Sequence, residues 1–229
     1  MRPSVLLFDI DGTLVSMGGA GRRALARTFD ELLGLPSLYD GFEFAGMTDP
    51  AIVRHGLGVA GVPADAATVE RFLAAYLVHL AAEVRDATNC RVHPGVDVVL
   101  DAAASHRDVA IGLGTGNLRE GARLKLERMG LHHRFAFGGF GCDHEERPRI
   151  LGVGAERGAA RLGRTPSTCR VVVIGDTPRD VAAAHAIGAE CVAVATSAFP
   201  VDALRAAGAD WAFPDLTAAG VLEAVLGDG

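Results

Sequence analysis

Short, nearly unbroken apolar runs recur along the chain, separated by longer stretches in which apolar residues return every three or four positions. The runs are Val5 to Phe8, Val109 to Leu113, Phe135 to Phe140, Val171 to Ile174 and Cys191 to Ala195. Each is brief and almost continuously apolar, the pattern of a parallel strand covered on both faces. The spacing between them predicts helices over Leu118 to Met129, Ile150 to Leu162, Arg179 to Ile187 and Ala218 to Leu226. Strands and helices in alternation predict an α/β fold, a doubly wound parallel sheet with a Rossmann-like core.

One interval departs from this rhythm. The 100 residues between Phe8 and Val109 far exceed an ordinary crossover connection. Their periodicity predicts helices at Ala20 to Leu33, Pro50 to Leu57 and Ala66 to Arg85. An inserted helical subdomain over residues 16–88 accounts for the length, with residues 1–15 and 89–229 forming the α/β core. The turn at His93-Pro94-Gly95 then marks the return to the core.

At 229 residues and 49% hydrophobic, the chain can bury a substantial core. A net charge of -6 argues against a long nucleic-acid footprint, while leaving room for a small anionic ligand in a local basic pocket. Lys125 is the only lysine, and the four cysteines, Cys90, Cys142, Cys169 and Cys191, lack paired metal-ligand spacing. They read as small core residues, and nothing demands an oxidising compartment. The apolar run near the N-terminus is too short for a signal peptide or a membrane span. Cytoplasm is the expected location, with neither nucleic acid nor membrane as partner, and monomer and homodimer stand open.

Candidate chemistry lies at the strand ends, where open parallel sheets bind ligands. The first strand ends Phe8-Asp9-Ile10-Asp11-Gly12-Thr13 and the fourth ends Ile174-Gly175-Asp176-Thr177-Pro178-Arg179-Asp180. Carboxylates this close repel each other, and a divalent cation resolves the repulsion; magnesium takes a few carboxylates plus waters and phosphate oxygens. Thr177 and Pro178 also make a good helix start, which explains Asp180 but not an aspartate at the strand tip. The second strand runs into Gly112-Leu113-Gly114-Thr115-Gly116-Asn117, whose amides and Thr115 hydroxyl suit phosphate oxygens. Asn117 with Glu120 fits a capping box there. The turn also matches one in class I methyltransferases, which place it after their first strand rather than their second.

These segments, in this order, resemble the haloacid dehalogenase-like hydrolase superfamily, specifically its phosphatase branch. Asp9-Ile10-Asp11-Gly12-Thr13 is similar to its first motif, Thr115-Gly116-Asn117 stands in the place of its second, and Gly175-Asp176-Thr177 with Asp180 is similar to its fourth. The resemblance implies that the insertion is an α-helical cap and that the cofactor is Mg2+. Asp9 is then the nucleophile and Asp11 the proton carrier. The implied metal ligands are Asp9, Asp11 through its backbone carbonyl and Asp176, with Asp180 a ligand or a support behind them. Thr115 would hold the phosphoryl group, with Gly12, Thr13, Gly116 and Asn117 on the substrate side. The family's third motif supplies a lysine or arginine; Arg147, before Pro148, is our choice and Arg149 the fallback. Lys125 reads as lying on a solvated helix face.

The implied reaction is hydrolysis of a small phosphorylated metabolite, such as phosphoglycolate or a sugar phosphate. Asp11 and Asp176 argue against haloalkanoic acid dehalogenation, and a cap without lysine argues against a phosphonatase Schiff base. A phosphomutase of the β-phosphoglucomutase type shares the same motifs. A non-catalytic, receiver-like protein also keeps aspartates at strand ends, but is much shorter and lacks the insertion. From the cap, Gly46-Met47-Thr48-Asp49 resembles a segment of phosphoglycolate phosphatase-like members, making Thr48 a candidate for substrate or a plain helix cap. Arg22 is a candidate for a second anionic group or a solvated helix arginine. His93 receives no catalytic role, His132 and His133 read as a helix end capping carbonyls, and Trp211 reads as packing.

Overall fold

The computed structural model describes residues 2–227. Its main sheet contains β1 (Ser4–Phe8), β4 (Val109–Gly114), β5 (Gly138–Gly139), β6 (Arg170–Gly175), β7 (Glu190–Val194) and β8 (Trp211–Phe213). The six strands are parallel, in the order β5-β4-β1-β6-β7-β8. The central β1 is paired from Ser4 to Phe8 with β4 on one side and β6 on the other. Three strand ends therefore lie side by side, carrying Asp9, Thr115 and Asp176.

The strands read as continuous apolar runs because both faces are covered. Val5 and Leu7 of β1 pack with Leu151 and Ala155 of α6 (Arg147–Arg161) and Val181 of α7 (Pro178–Ala186). Leu6 and Phe8 face the opposite cluster, with Leu100 of α4 (Val96–Ala104), Leu126 of α5 (Arg119–Arg128) and Val225 of α9 (Val221–Leu226). The helix α8 (Val201–Ala206) completes the α6 and α7 layer through Leu204.

The 100-residue interval holds α1 (Ala20–Leu33), α2 (Asp49–Val59) and α3 (Ala66–Asp86). The chain enters and leaves them through an antiparallel ribbon, β2 (Val15–Met17) against β3 (Cys90–Val92). Phe29 anchors their packing, its ring 4.8 Å from Phe72 and 5.2 Å from Tyr39 between centroids.

Several expectations need correction. The run Phe135 to Phe140 pairs only at Gly138–Gly139, as the edge strand of the sheet with β4 its one neighbour among the described residues. The helices α4 and α8 and the strand β8 escaped the pattern, and α9 starts at Val221 rather than Ala218. His132 and His133 lie in a short 3-10 turn and cap no carbonyl among the described residues. Cys169 and Cys191 are buried and Cys90 is partly so, but Cys142 is exposed. Trp211 is 37% exposed at the sheet edge, with the Arg170 guanidinium 5.8 Å from its ring centroid.

Candidate active site

The ends of β1 and β6 and the starts of α6 and α7 bring four charged side chains together. Carboxylate oxygens of Asp9, Asp176 and Asp180 all lie within 4.8 Å of one another, and all three residues are buried. Arg147, at the first position of α6, is also buried. Its Nη2 lies 2.9 Å from Asp9 Oδ2 and is also bonded to Asp180 Oδ1. One guanidinium nitrogen thus bridges two carboxylates, while Nε is buried with no partner among the described residues.

Three carboxylates against one guanidinium leave two formal negative charges. Burial pushes Asp9 up to about 6, opposed by Arg147 and reinforced by Asp180 and Asp11. Burial, then Asp180 and Asp9, pushes Asp176 up to about 8. Burial works against the Arg147 charge too, yet Asp180 and Asp9 raise its pKa above the ordinary arginine value. An oxygen-donor set with this residual charge fits a divalent cation.

The loops explain how the carboxylates come so close. Asp180 closes a capping box with Thr177 at the start of α7. Its Oδ2 accepts from Asp176 N (3.2 Å), Thr177 N (3.0 Å) and Thr177 Oγ1 (2.8 Å). With Oδ1 on Arg147, both Asp180 oxygens are engaged within the protein. Gly12 has φ +85°, and a Cβ there would fall 2.3 Å from Asp176 Oδ2. Only glycine permits both that backbone and that approach. Thr13 donates its hydroxyl to Asp176 Oδ1 at 2.9 Å, so it orients a carboxylate rather than facing the cavity.

The β4–α5 loop departs from expectation. Asn117 does not cap α5, whose N-cap is Leu118 without a side-chain cap bond. Its Nδ2 instead donates to Asp11 Oδ2 and Thr115 Oγ1, both at 2.9 Å. The orphan amide of Leu118 donates to Asp49 Oδ2 of α2 at 2.8 Å. Lys125 is not solvated: it is 3% exposed, with Nζ 2.5 Å from Asp11 Oδ2 and 2.6 Å from Asn117 Oδ1. Sequence reasoning misplaced this side chain on a solvated face. The available signal was its place on one face of α5 with buried Gly121, Ala122 and Leu126.

The segment from Gly46 to Asp49 braces the site from above. Asp49 N donates to Gly116 O at 2.9 Å, and a Cβ on Gly116 would lie 2.5 Å from Met47 O. Thr48 is buried as the N-cap of α2, accepting from Ala51 N and donating to Glu145 O at 3.0 Å. It caps a helix and does not line the cavity. Between α1–α3 and the strand ends lies a cavity of about 330 Å3, walled in part by Asp9, Asp11, Arg22, Tyr76 and Lys125. Arg22 reaches it with its guanidinium already tied to Tyr39 O (2.9 Å) and Phe42 O (2.6 Å), 4.2 Å from the Phe44 ring centroid. Arg149 is exposed and pairs with Glu146, away from the carboxylates. His93 is buried where β3 turns into the core.

A family model of haloacid dehalogenase-like hydrolases matches residues 3–188. Phosphoglycolate phosphatase of Rhodospirillum rubrum is 29% identical over 95% of this chain and 90% of its own length. Among solved structures, CbbY of Rhodobacter sphaeroides, in complex with phosphate, superposes with TM-score 0.73 at 18% identity, covering 98% of this chain and 99% of that one. A haloacid dehalogenase-like family protein of Streptococcus pneumoniae gives 0.66 at 18% identity, over 94% and 95%.

Proposed function

The chain belongs to the haloacid dehalogenase-like hydrolases, and on that premise we propose that it is a magnesium-dependent phosphatase. Its substrate would be a small phosphorylated metabolite, and phosphoglycolate is the first to try, given the relative in Rhodospirillum rubrum. The observation that carries this reading is the convergence of Asp9, Asp176 and Asp180 around a single bridging arginine at the strand ends.

Asp9 attacks phosphorus in line, forming an aspartyl-phosphate as the bond to the leaving oxygen breaks. Asp11 gives that oxygen a proton, then takes one from the water that hydrolyses the acyl phosphate and frees Asp9. Arg147 holds Asp9 in place and adds positive charge beside the incoming phosphoryl group. The Thr115 hydroxyl and the loop amides around Gly116 and Asn117 receive the phosphate oxygens.

Asp9, Asp176 and the Asp11 backbone carbonyl would hold magnesium, with Asp180 supporting Asp176 and Arg147 from behind. When bound, the ion supplies the charge that lets a carboxylate approach an anionic phosphate. The segment 16–88 acts as a cap, keeping bulk water from the cavity and contacting the rest of the substrate. No described helix is long and apolar enough to cross a membrane.

The test is a panel of phosphorylated metabolites, each assayed with magnesium and again with chelator. We expect magnesium-dependent phosphate release from one or a few small phosphomonoesters. Equal rates in chelator would overturn the reading, as would phosphoryl transfer to an added acceptor sugar in preference to water.

A further inference from the structure

Lys125 lies on α5, eight residues beyond Asn117, where helix α5 packs against α3. A buried ammonium without partners is costly, so what surrounds this one is informative. Nζ donates to Asp11 Oδ2 at 2.5 Å and to Asn117 Oδ1 at 2.6 Å. Asn117 Nδ2 donates to the same Asp11 oxygen at 2.9 Å. The three side chains close a triangle with Asp11 Oδ2 as its acceptor corner. The other oxygen, Oδ1, accepts no hydrogen bond from any described residue.

The Asp11 side chain is 47% exposed, at the wall of the cavity beside Asp9. A short, half-exposed carboxylate on a turn has several rotamers available. Two donors converging on one oxygen select a single rotamer and keep the second oxygen free. Helices of the inserted segment enclose the lysine in turn. Asp49 of α2, pushed up to about 6 by burial, is opposed chiefly by the Lys125 charge. Tyr76 of α3 lies beside Asp49, and a Cβ on Gly21 of α1 would lie 3.8 Å from Nζ.

We propose that Lys125 is a positioning residue that, with Asn117, fixes the Asp11 carboxylate so that Oδ1 is the oxygen that exchanges a proton with the reacting groups. Lys125 gives up no proton and need not touch the substrate. Its seat between Asp11 and Asp49 makes the alignment depend on the inserted helices as well as on the core. This inference rests on Asp11 being the proton carrier, as proposed above.

A double-mutant cycle tests it, with p-nitrophenyl phosphate as substrate and thermal melting as a check on folding. Misaligning a reacting group by about 1 Å costs about 100-fold. Lys125→Met should therefore lower kcat by about that factor and change KM by less than about threefold. In the Asp11→Asn background, the same substitution should change kcat by less than about threefold, because there is no proton carrier left to align. Lys125→Gln, which keeps a donor of similar reach, should recover part of the loss, and it replaces the methionine variant in the cycle if that variant does not fold. An equal loss in both backgrounds would show a merely structural lysine and overturn the inference while leaving Asp11 its role. Wild-type turnover in Asp11→Asn alone would instead remove the proposed role of Asp11, and this inference with it.

Discussion

The tip of β1 carries two carboxylates in differently balanced surroundings. On the deep side, Asp9, Asp176 and Asp180 are buried together, with Arg147 bridging Asp9 and Asp180. On the outer side, half-exposed Asp11 has Lys125 and Asn117 on one oxygen. The deep group sets three carboxylates against one guanidinium, and burial pushes Asp9 and Asp176 up. The outer group pairs its carboxylate directly with an ammonium. On the proposed function, the difference teaches that the first group would attract a cation and the second hold a direction.

The sharpest way to break the contrast is to remove the deep cation. Arg147→Ala should lower kcat by about 100-fold or more and destabilise the fold by about 3–5 kcal/mol, because it leaves buried carboxylates unpaired. Urea titration beside steady-state kinetics checks both. Arg147→Lys sharpens the point. A single nitrogen makes both bridges and Nε has no partner among the described residues, so a point charge should serve, with kcat kept within about tenfold.

Proton linkage supplies the next effect. The folded carboxylates of Asp9 and Asp176 titrate near 6 and 8 rather than at the ordinary 3.8. Between those limits the metal-free native state holds more protons than the unfolded chain, so its stability falls as pH rises toward 8. On the proposed function magnesium would compete for the same oxygens, so its affinity should rise over that interval. Melting curves should show a larger gain in Tm from added magnesium near pH 8 than near pH 6. The reverse order would place the cation elsewhere.

The smallest effect should come from Thr48→Ala. Losing the N-cap of α2 should cost about 1 kcal/mol of stability, with kcat within about threefold of wild type. A large loss of kcat would return Thr48 to the substrate.

The deep group was legible in the sequence because chemistry and topology coincide there. Asp9 and Asp176 each follow an apolar run, and parallel strand ends that pair in register must lie together. The outer group was not legible, since its members come from distant elements. Lys125 sits among Arg119, Glu120, Arg123, Glu127 and Arg128, which give α5 the look of a solvated helix. Its burial depends on α3 packing across it, a contact that local periodicity does not encode. Asn117 matched a capping box locally, but Asp49 from another helix supplies the bond to Leu118. The helix α4 was missed because Val98 and its apolar neighbours blur any stripe, and β8 because three residues show no period.

The central claim is that Asp9 carries the phosphoryl group, and rapid quenching with a radiolabelled phosphomonoester tests it directly. The account predicts an acid-stable, hydroxylamine-labile label on the peptide containing Asp9, formed at least as fast as turnover and lost in Asp9→Asn together with activity. Sustained turnover with no label on the protein, or label on a different residue, would contradict it.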